Sequence, residues 1–419
     1  MPGERRVRAA RPRERVHEAR RLRSVELFAG IGGLAIGVSK AGFEHRAVVE
    51  WNRDACDTIR ENQRRQVAHV AHWPLFQGDV RHFDYSDIEQ EIDLLGGGPP
   101  CQPFSLGGKH RGHKDERDMF PEVVRAVREL RPKAVLIENV KGLLRQSFAS
   151  YFEYITLQLQ YPELVAREDE SWMDHRARLE EYHIRGRNCG LSYRVLFQLL
   201  NAADYGIPQR RQRVIIVGFR SDLNAEWSFP VATHSQDALL WSQWGTGEYW
   251  DRHRIATADR PEMSERTRAR VAQLGGGVLP ILAEPWLTVR DVTADLPTPG
   301  NRDEADRVAN HDFNPGARSY AGHTGSPYDE PAKTLKAGDH GVPGGENTLA
   351  YPDGTVRYLT VRESARLQTF PDDYVFHGSW TESMRQLGNA VPVALGQIMA
   401  SRVGASLSGG SQPAARASR

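Results

Sequence analysis

Short apolar runs alternate with amphipathic stretches through the first half of the chain, spaced as strands followed by helices. Ser24–Phe28 is a β-suited run broken by glycines, and Leu34–Ala41 has helix-compatible composition ended by Gly42. The pattern recurs: Ala47–Glu50 as strand, Arg53–Asn62 as helix, Ile92–Leu95 as strand, Phe120–Leu130 as helix, Ala134–Ile137 as strand. Alternation of this kind implies an α/β fold of Rossmann-like type, with a mostly parallel sheet covered on both faces. Ligands of such sheets sit beyond the carboxyl ends of the strands. Gly30–Gly33, Glu50, Pro99–Ser105 and Glu138 all fall there.

From Arg145 to about Gly190 the chain is polar and charge-rich with little periodicity, and it is expected to be an insertion, 145–190, with no assigned role. Strands resume at Tyr193–Leu199 and Arg213–Phe219, closing a first domain over 24–219. Residues 220–358 turn Gly-, Pro- and Trp-rich, with turn signals such as Pro343-Gly344-Gly345, and predict a second, smaller, irregular domain. Helices near Arg362–Gln368 and Pro392–Ser401 predict a return to the first domain over 359–403, followed by a flexible tail, 404–419. Residues 1–23 are crowded with arginine and lack an apolar face, so a disordered basic arm is expected.

A length of 419 residues suits such a two-lobed chain. The formal net charge of +1 excludes a uniformly basic surface, so any attraction to phosphate must be local. Only Cys56, Cys101 and Cys189 occur, without a Cys-x-x-Cys pair, which predicts a reducing compartment and no metal site. No run is read as the roughly 18 to 20 apolar residues that span a bilayer, and a cytoplasmic protein without membrane contact is expected.

Two segments carry candidate chemistry. In Val25-Glu26-Leu27-Phe28-Ala29-Gly30-Ile31-Gly32-Gly33, glycines stand where a strand hands over to a helix, permitting close approach to a nucleotide-like ligand. Glu50 ends the next strand, where a carboxylate accepts hydrogen bonds from ribose hydroxyls, and Trp51 offers a flat face to adenine. Gly30, Gly32 and Ala35 equally satisfy a dinucleotide pattern, so this segment alone leaves a nicotinamide enzyme open. The second segment, Gly96-Gly97-Gly98-Pro99-Pro100-Cys101-Gln102-Pro103-Phe104-Ser105, sets a cysteine among stiffening prolines at a strand's active edge.

Here the sequence resembles the DNA cytosine-5 methyltransferases, whose Pro-Cys-Gln loop this segment matches. The resemblance runs from about Val25 to Ala400 and includes Glu138-Asn139-Val140, Gln209-Arg210-Arg211-Gln212-Arg213, Arg362 to Pro371 and Gly388-Asn389-Ala390-Val391-Pro392, in family order. It implies an S-adenosylmethionine-dependent methyltransferase sheet, with 220–358 as target-recognition domain and double-stranded DNA as substrate. Cytosine C5 is a poor nucleophile, so a thiolate must first add to C6, which Cys101 would do. Glu138 would relieve the charge at N3, and Arg211 and Arg213 would complete the cytosine pocket. Cofactor contacts are implied at Phe28, Gly30, Gly32, Glu50, Trp51, Asp79, Asn389 and Val391.

A target cytosine must leave the helix to be attacked. Ser105, Lys109 and Arg111 in the loop after Cys101, together with Gln209 and Thr334, are the expected DNA contacts. A monomer is expected, with a cognate restriction endonuclease as a separately acting partner in a bacterial restriction-modification system. A tRNA cytosine-5 methyltransferase and a catalytically idle DNA-binding regulator share the fold; the long irregular region weighs against the first, and intact Cys101, Glu138 and Arg213 against the second.

Overall fold

The structure is a computed structural model, and it describes residues 20–100, 118–186, 190–277, 282–300, 308–319, 324–337, 347–351 and 353–409. Seven strands form one sheet: β1 (Leu22–Leu27), β2 (Phe43–Glu50), β3 (Leu75–Gln77), β4 (Leu94–Gly97), β5 (Ala134–Val140), β6 (Tyr193–Asn201) and, after a two-residue strand β7 (Gln209–Arg210), β8 (Gln212–Arg220). Their order is β3-β2-β1-β4-β5-β8-β6. Neighbours from β3 to β5 pair in parallel, and only β8 runs against the others. Glu50, Leu27, Gly97 and Val140 therefore share one edge of the sheet, as the alternation of strands and helices implies.

Helices α1 (Gly33–Lys40), α2 (Arg53–Arg64), α3 (Phe120–Leu130), α4 (Ala149–Gln160) and α5 (Trp172–Arg185) follow in order, then α6 (Val361–Leu367), α7 (Trp380–Asn389) and α8 (Val393–Leu407) near the C-terminal end. One face of the sheet buries Val25, Leu27, Val135 and Ile137 against α3 and α4. On the other, Leu94, Leu136 and Ile215 pack with Leu34 and Val38 of α1 and with Leu395 and Met399 of α8. The chain thus returns to its own beginning. The two helices approach closely because a Cβ on Gly37 would lie 2.5 Å from Gln397 N and 2.6 Å from Val393 O. Small residues at the crossing are what that approach requires.

Three expectations change. The stretch 145–190 is not an irregular insertion: Tyr151, Phe152, Tyr154, Ile155, Leu157 and Leu159 of α4 belong to the main core, and Leu179 of α5 joins them. Polar residues at the intervening positions hide this face in a one-dimensional reading. The stretch Trp380–Leu407 has, contrary to expectation, the length and composition of a membrane span, but it is two helices, α7 and α8, parted at Ala390–Pro392, and 56% of its most apolar window is buried inside the structure. The short strand β3 also went unread, since three residues are too few to show a period.

Within 220–358 the described segments are short strands, helices and loops around a small cluster of Leu239, Tyr249, Trp250 and Trp286. Trp250 is core packing there, edge-on to Trp244 at 5.2 Å. At the amino end of the sheet, Arg20 reaches Glu91 at 2.9 Å and Asp93 at 3.4 Å.

Candidate functional site

The turn after β1 is built for close approach. Phe28, Gly30 and Gly32 have φ of 55°, 55° and 81°, a region that favours glycine and is costly for Phe28. Gly32 must lack a side chain, because its Cβ would fall 2.6 Å from the Trp73 ring. Gly30 differs: a Cβ there would meet nothing within 4 Å, so the backbone faces open space. Glu50 spans the turn, accepting from Gly30 N through one carboxylate oxygen and from Asn52 N through the other, both at 2.7 Å. Burial raises its pKa, an effect opposed by these main-chain donors.

Each Glu50 oxygen retains lone-pair capacity for a hydroxyl donor. Beside it Trp51 is 73% exposed, with its indole uncovered. From the far end of the chain, Val391 is buried with its carbonyl only 2.2 Å from the position of a Gly33 Cβ, and Asn389 is exposed at the end of α7. Asp79 is less available, because its carboxylate takes Arg81 Nε at 3.0 Å, and that hydrogen bond is the leading cause of a pKa lowered to about 2.

At the neighbouring strand ends, Glu138 and Asn139 close β5. Asn139 Nδ2 donates to Pro99 O at 3.2 Å, fixing the backbone two residues before Cys101. Glu138 is 8% exposed, and its Oε1 lies 2.7 Å from Arg213 Nε. Arg213 enters from β8, where it pairs in register with Val140. A carboxyl and a guanidinium thus converge beside the start of the cysteine loop. Cys101, Ser105, Lys109 and Arg111 lie outside the described residues.

Arg211 and Gln209 depart from expectation. They were expected to present their side chains to cytosine and DNA, but they are 1% and 0% exposed. Arg211 donates to Leu335 O at 3.3 Å, Gly388 O at 2.9 Å and Ala390 O at 2.8 Å. Gln209 donates to Gln368 Oε1 at 3.1 Å and accepts from Leu335 N at 3.2 Å. The extended-segment argument fails at Arg211 because β7 ends before it and β8 begins after it, so strict alternation does not hold. Thr334 is part-buried, its hydroxyl donating to Arg210 O at 2.7 Å, which turns it toward main chain instead of outward.

The family model for C-5 cytosine-specific DNA methylases matches residues 22–161 and 173–405, nearly the whole described fold. The chain belongs to that family. Among curated relatives, it is 31% identical over 389 residues to the Type II methyltransferase M.NgoMIV of Neisseria gonorrhoeae, covering 91% of this chain and 96% of that protein. It is 30% identical over 387 residues to M.PspPI of a Psychrobacter strain, covering 91% and 78%. The fold is shared with a variant of Spodoptera frugiperda DNMT2 (TM-score 0.54, 15% identity, 91% and 99% covered). Schizosaccharomyces pombe Dnmt2 is similar at a TM-score of 0.52 and 19% identity, with 91% and 98% covered.

The methylase family uses S-adenosylmethionine as methyl donor, and the ends of β1 and β2 present open backbone at Gly30, acceptor oxygens at Glu50 and an exposed indole at Trp51. Two participants escaped the sequence reading. Asn139 and Gln368 enter that reading only as members of their motifs; Gln368, completely buried, donates to Ala390 O at 3.1 Å. Cys56 is buried at the start of α2, and burial pushes its thiol up to about 12, which makes it a poor nucleophile near neutrality.

Proposed function

We propose that this methylase transfers a methyl group to C5 of a specific cytosine in duplex DNA, as the modifying member of a Type II restriction-modification system. Its work would fall under the DNA (cytosine-5-)-methyltransferase activity, in the cytoplasm of a bacterium, with a cognate endonuclease acting separately. The placement of Glu138 and Arg213 within 2.7 Å of each other, with the Glu138 carboxyl beside Gly98 at the end of β4, carries this reading. A methyl on a sulfonium, supplied by bound S-adenosylmethionine, is the electrophile.

Glu50 would hold the ribose hydroxyls, Trp51 the adenine and the Asn389–Val391 turn the amino-acid end. Cys101, as thiolate, forms a bond to C6 of an extrahelical cytosine, and the electron pair of the C5–C6 double bond moves to C5. Glu138 hydrogen-bonds N3 and stabilises the charge in the ring, while Arg213 orients Glu138 and offers N–H donors toward O2. C5 would take the methyl with its electron pair as the methyl–sulfur bond breaks, the pair of that bond leaving with sulfur as the neutral thioether S-adenosylhomocysteine. Loss of the C5 proton to a water or other base then returns the electron pair to the ring, and the C6–S bond breaks to release Cys101.

Relatives named as Type II methyltransferases, matched over more than three quarters of their length, support DNA over tRNA as substrate, as does the region from 220 to 358. Expression in a host lacking cytosine methylation, followed by bisulfite sequencing, tests this: 5-methylcytosine should appear at one recurrent short sequence. Unmodified DNA from cells holding soluble, cofactor-binding protein would contradict it.

A further inference from the structure

Arg211 occupies an unusual position for a cation. It is completely buried, and its hydrogen bonds go to three main-chain carbonyls drawn from two distant parts of the chain. Leu335 belongs to the segment that follows the short strand Ala332–Lys333, which pairs in parallel with β7. Gly388 and Ala390 belong to the turn between α7 and α8 that faces the glycine turn. Burial pushes the guanidinium's pKa well down, Arg213 adds to that, and Glu138 opposes it.

The same two segments touch directly. A Cβ on Gly388 would lie 2.4 Å from Ala337 N and 2.5 Å from Lys336 C, so the chains meet backbone to backbone. Gln209 and Gln368 repeat the linkage one layer away, since Gln209 accepts from Leu335 N while Gln368 donates to Ala390 O. A displacement of 332–336 cannot occur without repacking 388–391, because close-packed elements rearrange together.

We propose that Arg211 is a positioning residue that couples the two binding events, by tying segment 332–336 of the recognition region to the turn 388–391 that walls the cofactor pocket. The proposal rests on the reading of 220–358 as the DNA-reading region, in which 332–336 is an inner support, and of 388–391 as cofactor-facing. Duplex binding orders 332–336, the clamp transmits that order to Gly388 and Ala390, and the cofactor then finds its wall formed. Linkage makes the effect reciprocal. Arg211 itself touches neither ligand.

The test is calorimetry with S-adenosylhomocysteine, which cannot be turned over, in the presence and absence of a duplex carrying the mapped sequence. In the wild type the duplex should tighten cofactor-analogue binding by a factor within the usual range of about 5- to 150-fold. Arg211→Lys keeps the charge but loses the fork that reaches several carbonyls, and should bring that factor below about 2-fold. An unchanged factor in a folded Arg211→Lys protein, or no coupling in the wild type, overturns the proposal. So does a variant that loses methyl transfer while both affinities and their coupling persist, since that would make Arg211 a substrate contact.

Because the variant can fail to fold, hydrogen exchange on the wild type supplies an independent arm. Duplex alone should slow exchange at 388–391 as well as at 332–336, and protection confined to 332–336 would contradict the clamp. Wild-type protein binding neither ligand would instead bring down the site assignment, and this proposal with it.

Discussion

His45 lies in β2 under the first turn, with both ring nitrogens engaged. Nε2 must donate to Ala35 O at 2.9 Å, so Nδ1 accepts from Ser24 Oγ at 3.0 Å and the ring is neutral. Burial lowers its pKa to about 4 from an ordinary 6.5. The unfolded chain therefore binds more protons between those values, and stability falls as pH drops from about 6.5 toward 4, by roughly 3 kcal/mol from this group. Urea titrations should show a shallower loss over that window in His45→Gln than in the wild type; identical slopes would remove His45 from the account. Glu26 acts in the opposite sense. It is buried in β1 against Gly96, one oxygen lacks a partner, and burial raises its pKa well above the carboxylate range. The folded state holds that proton, so stability is lost as pH rises above the usual carboxylate range. Glu26→Gln should be more stable than the wild type at pH 8, with the gap closing toward pH 4; a variant less stable at pH 8 would refute this.

At the scale of elements, the strand-turn-helix unit at the start of the chain depends on one from its far end. The Gly33 Cβ position lies 2.2 Å from Val391 O, so Gly33→Ala must push the Asn389–Val391 turn away from α1. Overpacking of this kind costs about 1 to 3 kcal/mol. Thermal unfolding should report that loss, and titration should report weaker S-adenosylmethionine binding; a variant with wild-type melting and affinity would show that the turn yields freely. The reading of β2 catches only 47–50, the half that is buried on both faces, whereas elements with long period-matched runs, such as α2 and α3, are legible from sequence because a single face is buried. The helix α4 is not, since its aromatic residues are spaced among Ser150, Glu153, Thr156 and Gln158 and read as polar until packed. The site was legible where a residue's position followed from a strand end, as for Glu50 and Glu138. It was not legible at Arg211, whose partners are main-chain carbonyls, or at Gln209, whose partners include Leu335 N–H and the Gln368 side chain, all from residues more than 120 positions away. No local pattern announces such partners.

For the whole molecule, part of 220–358 gathers around a small core of Leu239, Tyr249, Trp250 and Trp286 that also takes in Ala203 of the first domain, with Tyr249 Oη donating to Asp329 Oδ1 at 2.8 Å. The region also packs on the first domain, since Val289, Ala332, Leu335 and Leu349 share one core cluster with Ile31, Ile36 and Val48, so an exchanged region that keeps those contacts leaves the strand ends that hold Glu50 and Glu138 in place while its loops differ. Exchanging 220–358 for the equivalent region of a relative should therefore move the methylated sequence while methyl transfer persists. Bisulfite mapping that finds the original sequence still modified would show that recognition lies outside this region.

The covalent step at Cys101 is the central claim, and a fluorinated target tests it most directly. If Cys101 adds to C6 before methylation, release requires loss of the C5 proton, and fluorine at that position cannot leave as a cation. Duplex DNA carrying 5-fluorocytosine at the target, with S-adenosylmethionine, should give a methylated complex that survives denaturing electrophoresis and whose cross-linked peptide contains Cys101. Cys101→Ser should abolish it, because a hydroxyl is far less nucleophilic near neutrality, whereas Cys56→Ser should not. An adduct mapped to another residue, or full turnover by Cys101→Ser, would contradict the mechanism.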